Sequence, residues 1–195
     1  MKKKKIQGWA DYAGERILNL VTKKERHRQE AIYELIATEE DYLVDLITTK
    51  KYYYDPVKEM LSNDQTLWTI FRNWDELTTI SKTLMKLLKE RQAIKPVVET
   101  IGDIFFMNME MFEKYLLFCP TSTESTVTLE QEKLTNLRFR KYLDRMQYSS
   151  KCRKLSIENF LAAPVQRIPR YLLVSIFSFH FFFFFFFFFF FFFFF

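Results

Sequence analysis

One residue, Glu39, breaks the apolar pattern of the segment around it. At about 100° per helical residue, Glu39 falls near the middle of the stripe formed by Ile32, Ile36 and Leu43. A carboxylate inside an apolar stripe costs stability. Two interpretations remain open: Glu39 lies at an edge of the stripe and reaches solvent or a lysine, or the carboxylate is held out for a partner.

A second group of residues with binding chemistry lies in the segment Pro164–Tyr171, which contains two prolines and several forked hydrogen-bond donors. In a helix, Gln166 and Arg170 share one face, while Arg167 and Tyr171 share the neighbouring one. Amide and guanidinium groups on a rigid element suit the backbone carbonyls and carboxylates of a partner. The segment could equally be a structural corner in which the arginines tie helices together.

The elements that position these residues are predicted to be helices. Apolar residues recur at helical spacing from Arg26 to about Tyr54, and Pro56 is expected to end this first helix. A second helix is predicted from Ser62, with Ser62 and Gln65 as a capping box. No convincing alternating stretch appears, so the fold class is predicted to be all-α.

Later helices are predicted from proline and capping signals. Pro96 suits the first turn of a third helix, which precedes a polar loop at Pro120–Ser125. Thr128 with Gln131 predicts the cap of a fourth helix. After a loop at Ser149–Lys154, a further helix begins near Ser156 and is interrupted by Pro164.

Charge and composition narrow the function classes. The net charge of +5 comes largely from Lys2 to Lys5, and elsewhere the charges alternate in sign, so no nucleic-acid partner is expected. Lys2, Lys3, Lys4 and Lys5 could contact an acidic membrane surface weakly. Cys119 and Cys152 lack metal or disulfide spacing and are expected to be reduced thiols.

Cofactor and catalytic signals are also lacking. The sequence contains no phosphate-cradling glycine loop, and neither His27 nor His180 has a catalytic or metal-ligand setting. We therefore expect no cofactor, no metal and no covalent chemistry. Because the start of the chain is basic but lacks the apolar stretch of a secretion signal, a cytoplasmic location is expected, with recruitment to membranes open.

Several blocks resemble the conserved regions of Dbl-homology domains, in family order and at family spacing, from about residue 25 to 174. Arg28–Leu46 resembles the first region, and Ile70–Asn73 with Glu76–Leu77 looks like the second, although Ser81 stands where many members have His. The segments Ile101–Phe105 and Phe112–Tyr115 are similar to the helix that follows. Phe160–Tyr171 matches the third region and is the most specific signal.

The resemblance implies an elongated helical bundle that promotes GDP release from Rho-family small GTPases such as Rho or Rac. In that family, the residue matching Glu39 engages switch I, and those matching Gln166 and Arg170 face switch II. The residue matching Ala162 is linked to the choice of GTPase; alanine is smaller here than the usual branched residue. Catalysis would involve no covalent chemistry and would follow from thermodynamic linkage. A factor that binds the nucleotide-free GTPase best must lower the affinity of that GTPase for GDP and Mg²⁺.

The chain is predicted to divide into a basic leader (1–24), in which Trp9 docks on the domain, a truncated Dbl-homology domain (25–174) and a poly-Phe tail (175–195). Fifteen of the 24 phenylalanines form Phe181–Phe195, which we interpret as intron read-through because TTT encodes Phe. Val174-Ser175 is what the splice-donor sequence GTAAGT would encode. Without the last helices of the bundle, weak activity is expected.

Two other classes remain open. The first is a non-catalytic scaffold that binds a GTPase without releasing its nucleotide. The second is a tail-anchored membrane protein, because Tyr171 to Phe195 is long and apolar enough to score as a membrane span.

Overall fold

The computed structural model describes residues 8–177, and their side chains up to Tyr171. Helices dominate this part of the chain and no strand occurs in it. The all-α prediction is confirmed. Lys2–Lys5 and Phe181–Phe195, for which the sequence predicted a basic arm and a low-complexity tail, lie outside the described residues.

The helices follow the chain in this order: α1 Trp9–Ala13, α2 Glu15–Leu18, α3 Lys23–Thr49, α4 Asp55–Val57, α5 Asp64–Phe71, α6 Trp74–Ile94, α7 Gly102–Met107, α8 Glu113–Phe118, α9 Ser122–Thr135, α10 Leu137–Gln147, α11 Ile157–Leu161 and α12 Ala163–Phe177. A π-helical stretch, Lys50–Tyr54, joins α3 to α4. Short 3₁₀ turns lie at Met109–Phe112 and Ser150–Cys152.

The described residues fall into two compact units. The first unit contains the chain up to Glu40, Thr83–Met109, and the residues from Ile168 onward. The second unit contains Asp41–Lys82 and Glu110–Arg167.

In the first unit, Gln29 connects α3 to the non-helical segment between α6 and α7. Gln29 is fully buried; its Nε2 donates to the carbonyl of Val98 at 2.7 Å, and its Oε1 accepts from the Val98 amide at 3.0 Å. Trp9 is also buried, and its Nε1 donates to the carbonyl of Pro96 at 2.7 Å. The predicted docking of Trp9 on the domain is therefore confirmed.

In the second unit, hydrogen bonds from side chains to backbone carbonyls tie the helices around an aromatic core. Trp74 Nε1 donates to the carbonyl of Leu46 at 3.0 Å, and Ser125 Oγ donates to that of Ile70 at 2.6 Å. Each donor satisfies a polar group that would otherwise be costly to bury.

The sequence predicts that Pro56 ends the first long helix, and this prediction is wrong. The chain widens into a π-helix at Lys50–Tyr54 and continues through Val57. A proline at position 56 cannot donate to the carbonyl of Tyr52 as an ordinary helical residue would. The hydroxyl of Tyr142 donates to that carbonyl instead, at 2.9 Å.

The prediction of one continuous second helix that begins at Ser62 is wrong in both respects. Asn63 caps α5, accepting from the Thr66 amide, whereas Ser62 donates to Glu132 at 2.6 Å. The helix then breaks at Arg72, whose φ of 50° lies in the left-handed region, and α6 begins two residues later.

The predicted third and fourth helices also start elsewhere. Pro96 lies in a non-helical segment in which Gln29 binds the amide and the carbonyl of Val98, and α7 begins only at Gly102. The Pro120–Ser125 loop ends early, since α9 begins at Ser122. Thr128 therefore lies inside α9, and Asn136 separates α9 from α10.

The predictions for the last segments hold. The break at Ser149–Lys154 separates α10 from α11, and α11 begins directly after Ser156. A turn at Ala162 precedes α12, so Pro164 falls in the first turn of a restarted helix. None of the helices in residues 8–177 is both long enough and apolar enough to cross a membrane.

Gln29→Leu is expected to lower the free energy of unfolding by about 2–3 kcal/mol, since it leaves the buried amide and carbonyl of Val98 without their side-chain partner. Urea unfolding of the full chain followed by circular dichroism measures this change. Gln131→Leu, on the exposed face of α9, is the matched control and should shift the free energy of unfolding by less than about 0.5 kcal/mol. Equal effects at the two positions would contradict the role given to Gln29.

Candidate partner-binding residues

Glu39 lies in α3 and its side chain is fully buried, with 0% exposed. Ile36, three residues earlier and 1% exposed, lies on the same helical face, so the position in the middle of the stripe places Glu39 in the core. The carboxylate does not reach solvent in this conformation, and the role of Glu39 towards a partner stays a prediction.

A tyrosine hydroxyl provides Glu39 with a hydrogen-bond partner in the first unit. The hydroxyl of Tyr171, a residue only 4% exposed, donates to Glu39 Oε2 at 2.8 Å. The ring of Tyr171 packs on Phe105, with ring centroids 5.6 Å apart. Burying a carboxylate is costly unless it is hydrogen-bonded, so this bond offsets part of the cost of placing Glu39 in the core.

The helix α12 divides its polar side chains between the surface and the interior. Gln166 and Arg170 are exposed, so their amide and guanidinium groups are available to a partner. Arg167 is 3% exposed, and its guanidinium lies 5.8 Å from the centre of the Tyr42 ring in the second unit. Of the two interpretations of this segment, partner binding therefore suits the exposed Gln166 and Arg170, and a structural role suits the buried Arg167.

In the second unit, Ala162, Val165 and Gln166 line a cavity of about 270 Å³. Residues of α9, among them Ser122 and Leu129, also line it. The structure therefore brings two predicted residues, Ala162 and Gln166, to one cavity. Glu39 and Arg170 belong to the first unit.

The α9 residues that line the cavity were missed by sequence reasoning, which assigned Pro120–Ser125 to a loop. Ser122, Thr126 and Leu129 follow one another at helical spacing of four and three, and this spacing is the signal that could have identified a shared face.

Glu158 also lines the cavity and carries its charge near the apolar wall. Burial disfavours the ionised form, but hydrogen bonds from Lys133 and Ser156 outweigh it and hold the pKa of Glu158 below its usual range. Lys133 forms an ion pair with Glu158. The carboxylate of Glu158 that lines the cavity is therefore already neutralised by Lys133.

The described part of the chain contains no cluster of three or more side chains that could hold a metal ion. Both cysteines are free thiols, as predicted. Burial raises the pKa of Cys119 to about 11 and also raises the pKa of Cys152. Since the thiolate is the reactive form, neither cysteine is activated as a nucleophile.

A family model described as "RhoGEF domain" matches residues 31–175. Among curated relatives, intersectin-1 of Mus musculus is 30% identical over 162 residues, which are 81% of this chain and 10% of intersectin-1. Rho1 guanine nucleotide exchange factor 1 of Schizosaccharomyces pombe is 29% identical over 171 residues, 85% of this chain and 13% of that protein. The chain thus spans a small part of the length of these relatives.

Solved structures show the same fold. The DH/PH domains of p115-RhoGEF superpose with a TM-score of 0.80 at 22% identity, covering 88% of this chain and 48% of that one. The DH/PH domains of PDZ-RhoGEF, solved in complex with GTP-gamma-S activated RhoA, give 0.80 at 23% identity, covering 88% and 49%. These matches place the described helices in the Dbl-homology fold.

Arg167 and Arg170 offer a test of the division within α12. Arg167→Met is expected to lower the free energy of unfolding by about 2 kcal/mol, because the contacts of the buried guanidinium, among them the one with the Tyr42 ring, are lost. Arg170→Met, at the exposed position, should change it by less than about 0.5 kcal/mol. Thermal and urea unfolding of both variants checks this, and a larger loss from Arg170→Met would reverse the assignment of faces.

Proposed function

Because the chain belongs to the RhoGEF domain family, we propose that it is a guanine nucleotide exchange factor for Rho-family small GTPases. The observation that carries the proposal is the family match over residues 31–175, which includes Glu39, Gln166 and Arg170. The names of related proteins support it, since two yeast relatives are described as Rho1 guanine nucleotide exchange factors. PDZ-RhoGEF was solved with bound RhoA, which supports the choice of partner.

Gln166 and Arg170 are proposed to bind switch II of the GTPase. Both side chains are exposed on α12, and guanidinium and amide groups can bind carboxylates and backbone carbonyls. Their contacts would hold switch II in a conformation that fits the nucleotide-free protein. Glu39 is proposed to bind switch I, for which it must first leave the hydrogen bond with Tyr171.

The proposed mechanism forms and breaks no covalent bond. The factor lowers the affinity of the GTPase for GDP and Mg²⁺ by the same free energy with which GDP lowers its affinity for the factor. Holding the two switches away from the phosphates is sufficient, because the nucleotide site is made partly by those segments. On this account the chain is a catalyst of nucleotide release without a reactive group of its own.

Ala162 is proposed to influence which GTPase is bound. It lines the cavity between α12 and α9, and its single methyl group leaves room that a branched side chain would fill. A GTPase that places a larger side chain there would gain buried apolar contact.

We propose a cytoplasmic location, and membrane recruitment through Lys2, Lys3, Lys4 and Lys5, which lie outside the described residues.

Glu39→Ala is expected to slow GDP release from RhoA or Rac by at least tenfold, since truncating a charged group at a desolvated interface costs about 2–5 kcal/mol. The combined variant Gln166→Ala/Arg170→Ala should do the same, and its two exposed sites leave the fold intact. Release of a fluorescent GDP analogue, with the full chain in excess over the GTPase, measures the rate.

Glu34→Ala is the matched control for this experiment, because Glu34 lies on the exposed side of the same helix. It should leave the rate unchanged, while circular dichroism confirms that each variant is folded. A folded wild-type chain that binds the GTPase without accelerating release would identify a scaffold and contradict the proposal.

A further inference from the structure

We propose that Tyr171 is a positioning residue that controls whether Glu39 can reach a partner. Its hydroxyl holds the carboxylate inside the free protein, and the carboxylate must be released before it can contact a GTPase. This inference rests on the proposed function for its consequence in exchange, but the restraint itself is a property of the chain alone.

The geometry of the first unit carries the inference. Glu39 has no exposed surface, Tyr171 has almost none, and the distance of 2.8 Å from hydroxyl to Oε2 is that of a full hydrogen bond. The ring is fixed by its contact with Phe105. Glu39 is therefore enclosed, and a donor whose ring is held by packing is directed at its Oε2 atom.

The chain separates this donor from the exposed binding groups within a single helix. Tyr171 directly follows Arg170, which is exposed, and both lie in α12. The same helix thus presents one binding residue to solvent while its next residue holds Glu39 in the interior. Access to Glu39 requires that Tyr171 and Glu39 move apart, whereas Arg170 is already accessible.

Removal of the hydroxyl should shift the balance towards a released carboxylate. A hydrogen bond to a charged acceptor stabilises the enclosed state, and without it the buried carboxylate loses a partner, so enclosure becomes less favourable. Because only the released state can bind through Glu39, its population scales the observed rate. Tyr171→Phe keeps the ring and its packing, and is expected to increase the released population about tenfold, the factor expected for one such bond.

The first test measures Glu39 directly and needs no GTPase. Carboxyl groups of the folded full chain are coupled to glycine ethyl ester with a carbodiimide, and tandem mass spectrometry locates the modified residues. Glu39 should react far more slowly than the exposed Glu34 in the wild type, and about tenfold faster in Tyr171→Phe than in the wild type. Rapid modification of Glu39 in the wild type, or unchanged protection in folded Tyr171→Phe, would overturn the proposal.

Tyr115→Phe is the matched control. Tyr115 is also buried, and its hydroxyl lies 3.1 Å from that of Tyr42 in the second unit. It removes a buried tyrosine hydroxyl elsewhere, so it should reduce stability without changing the modification of Glu39. Equal deprotection of Glu39 by Tyr115→Phe would show general loosening, and would also overturn the proposal.

The second test measures whether the hydrogen bond between Tyr171 and Glu39 limits the rate of GDP release. Tyr171→Phe should accelerate GDP release about tenfold when Glu39 is present, and should have no effect in the Glu39→Ala background. A slower rate in Tyr171→Phe would mean that the hydroxyl supports the active state, and would overturn the proposal. If no variant releases GDP but Glu39 is deprotected by Tyr171→Phe, the restraint stands and the proposed exchange function fails.

Discussion

A carboxylate without solvent contact is the constraint on which the rest of this structure depends. Glu39 lies in the apolar face of α3, the longest helix of the described residues, and the Tyr171 hydroxyl from a distant part of the chain donates a hydrogen bond to it. A core can enclose a carboxylate in this way only when a donor is placed close to it. The bond therefore connects α3 to Tyr171 of α12 within the first unit.

The residues of α12 show how one short segment serves both the interior and the surface. Arg167 and Tyr171 are buried and contact aromatic side chains, whereas Gln166 and Arg170 are exposed. Arginine and tyrosine can both be buried when their polar ends find partners, because their stems and rings are apolar. The same residue types thus have different roles according to helical position, and the exposed pair is the one suited to partner binding.

The fold class could be predicted from the sequence because it depends on local information, whereas the roles of Glu39, Gln166 and Arg170 stay predictions. Helical spacing identified the apolar faces, and the block Phe160–Tyr171 identified the family. The helix breaks depend on tertiary contacts. Asn136 follows the end of α9, and its side chain donates to the Met60 carbonyl at 2.6 Å. Gln29 binds Val98 in a non-helical segment. The tyrosine that donates to the Glu39 carboxylate could not be predicted because it lies 132 residues away in the sequence.

The most direct measurement of the central claim is the affinity of the full chain for one Rho-family GTPase in its nucleotide-free and GDP-bound forms. Isothermal titration calorimetry or interferometry under matched buffer conditions gives both dissociation constants. An exchange factor must bind the nucleotide-free form more tightly, and a ratio of roughly 5 to 150 is typical of such coupling. Equal affinities for the two forms would contradict the account.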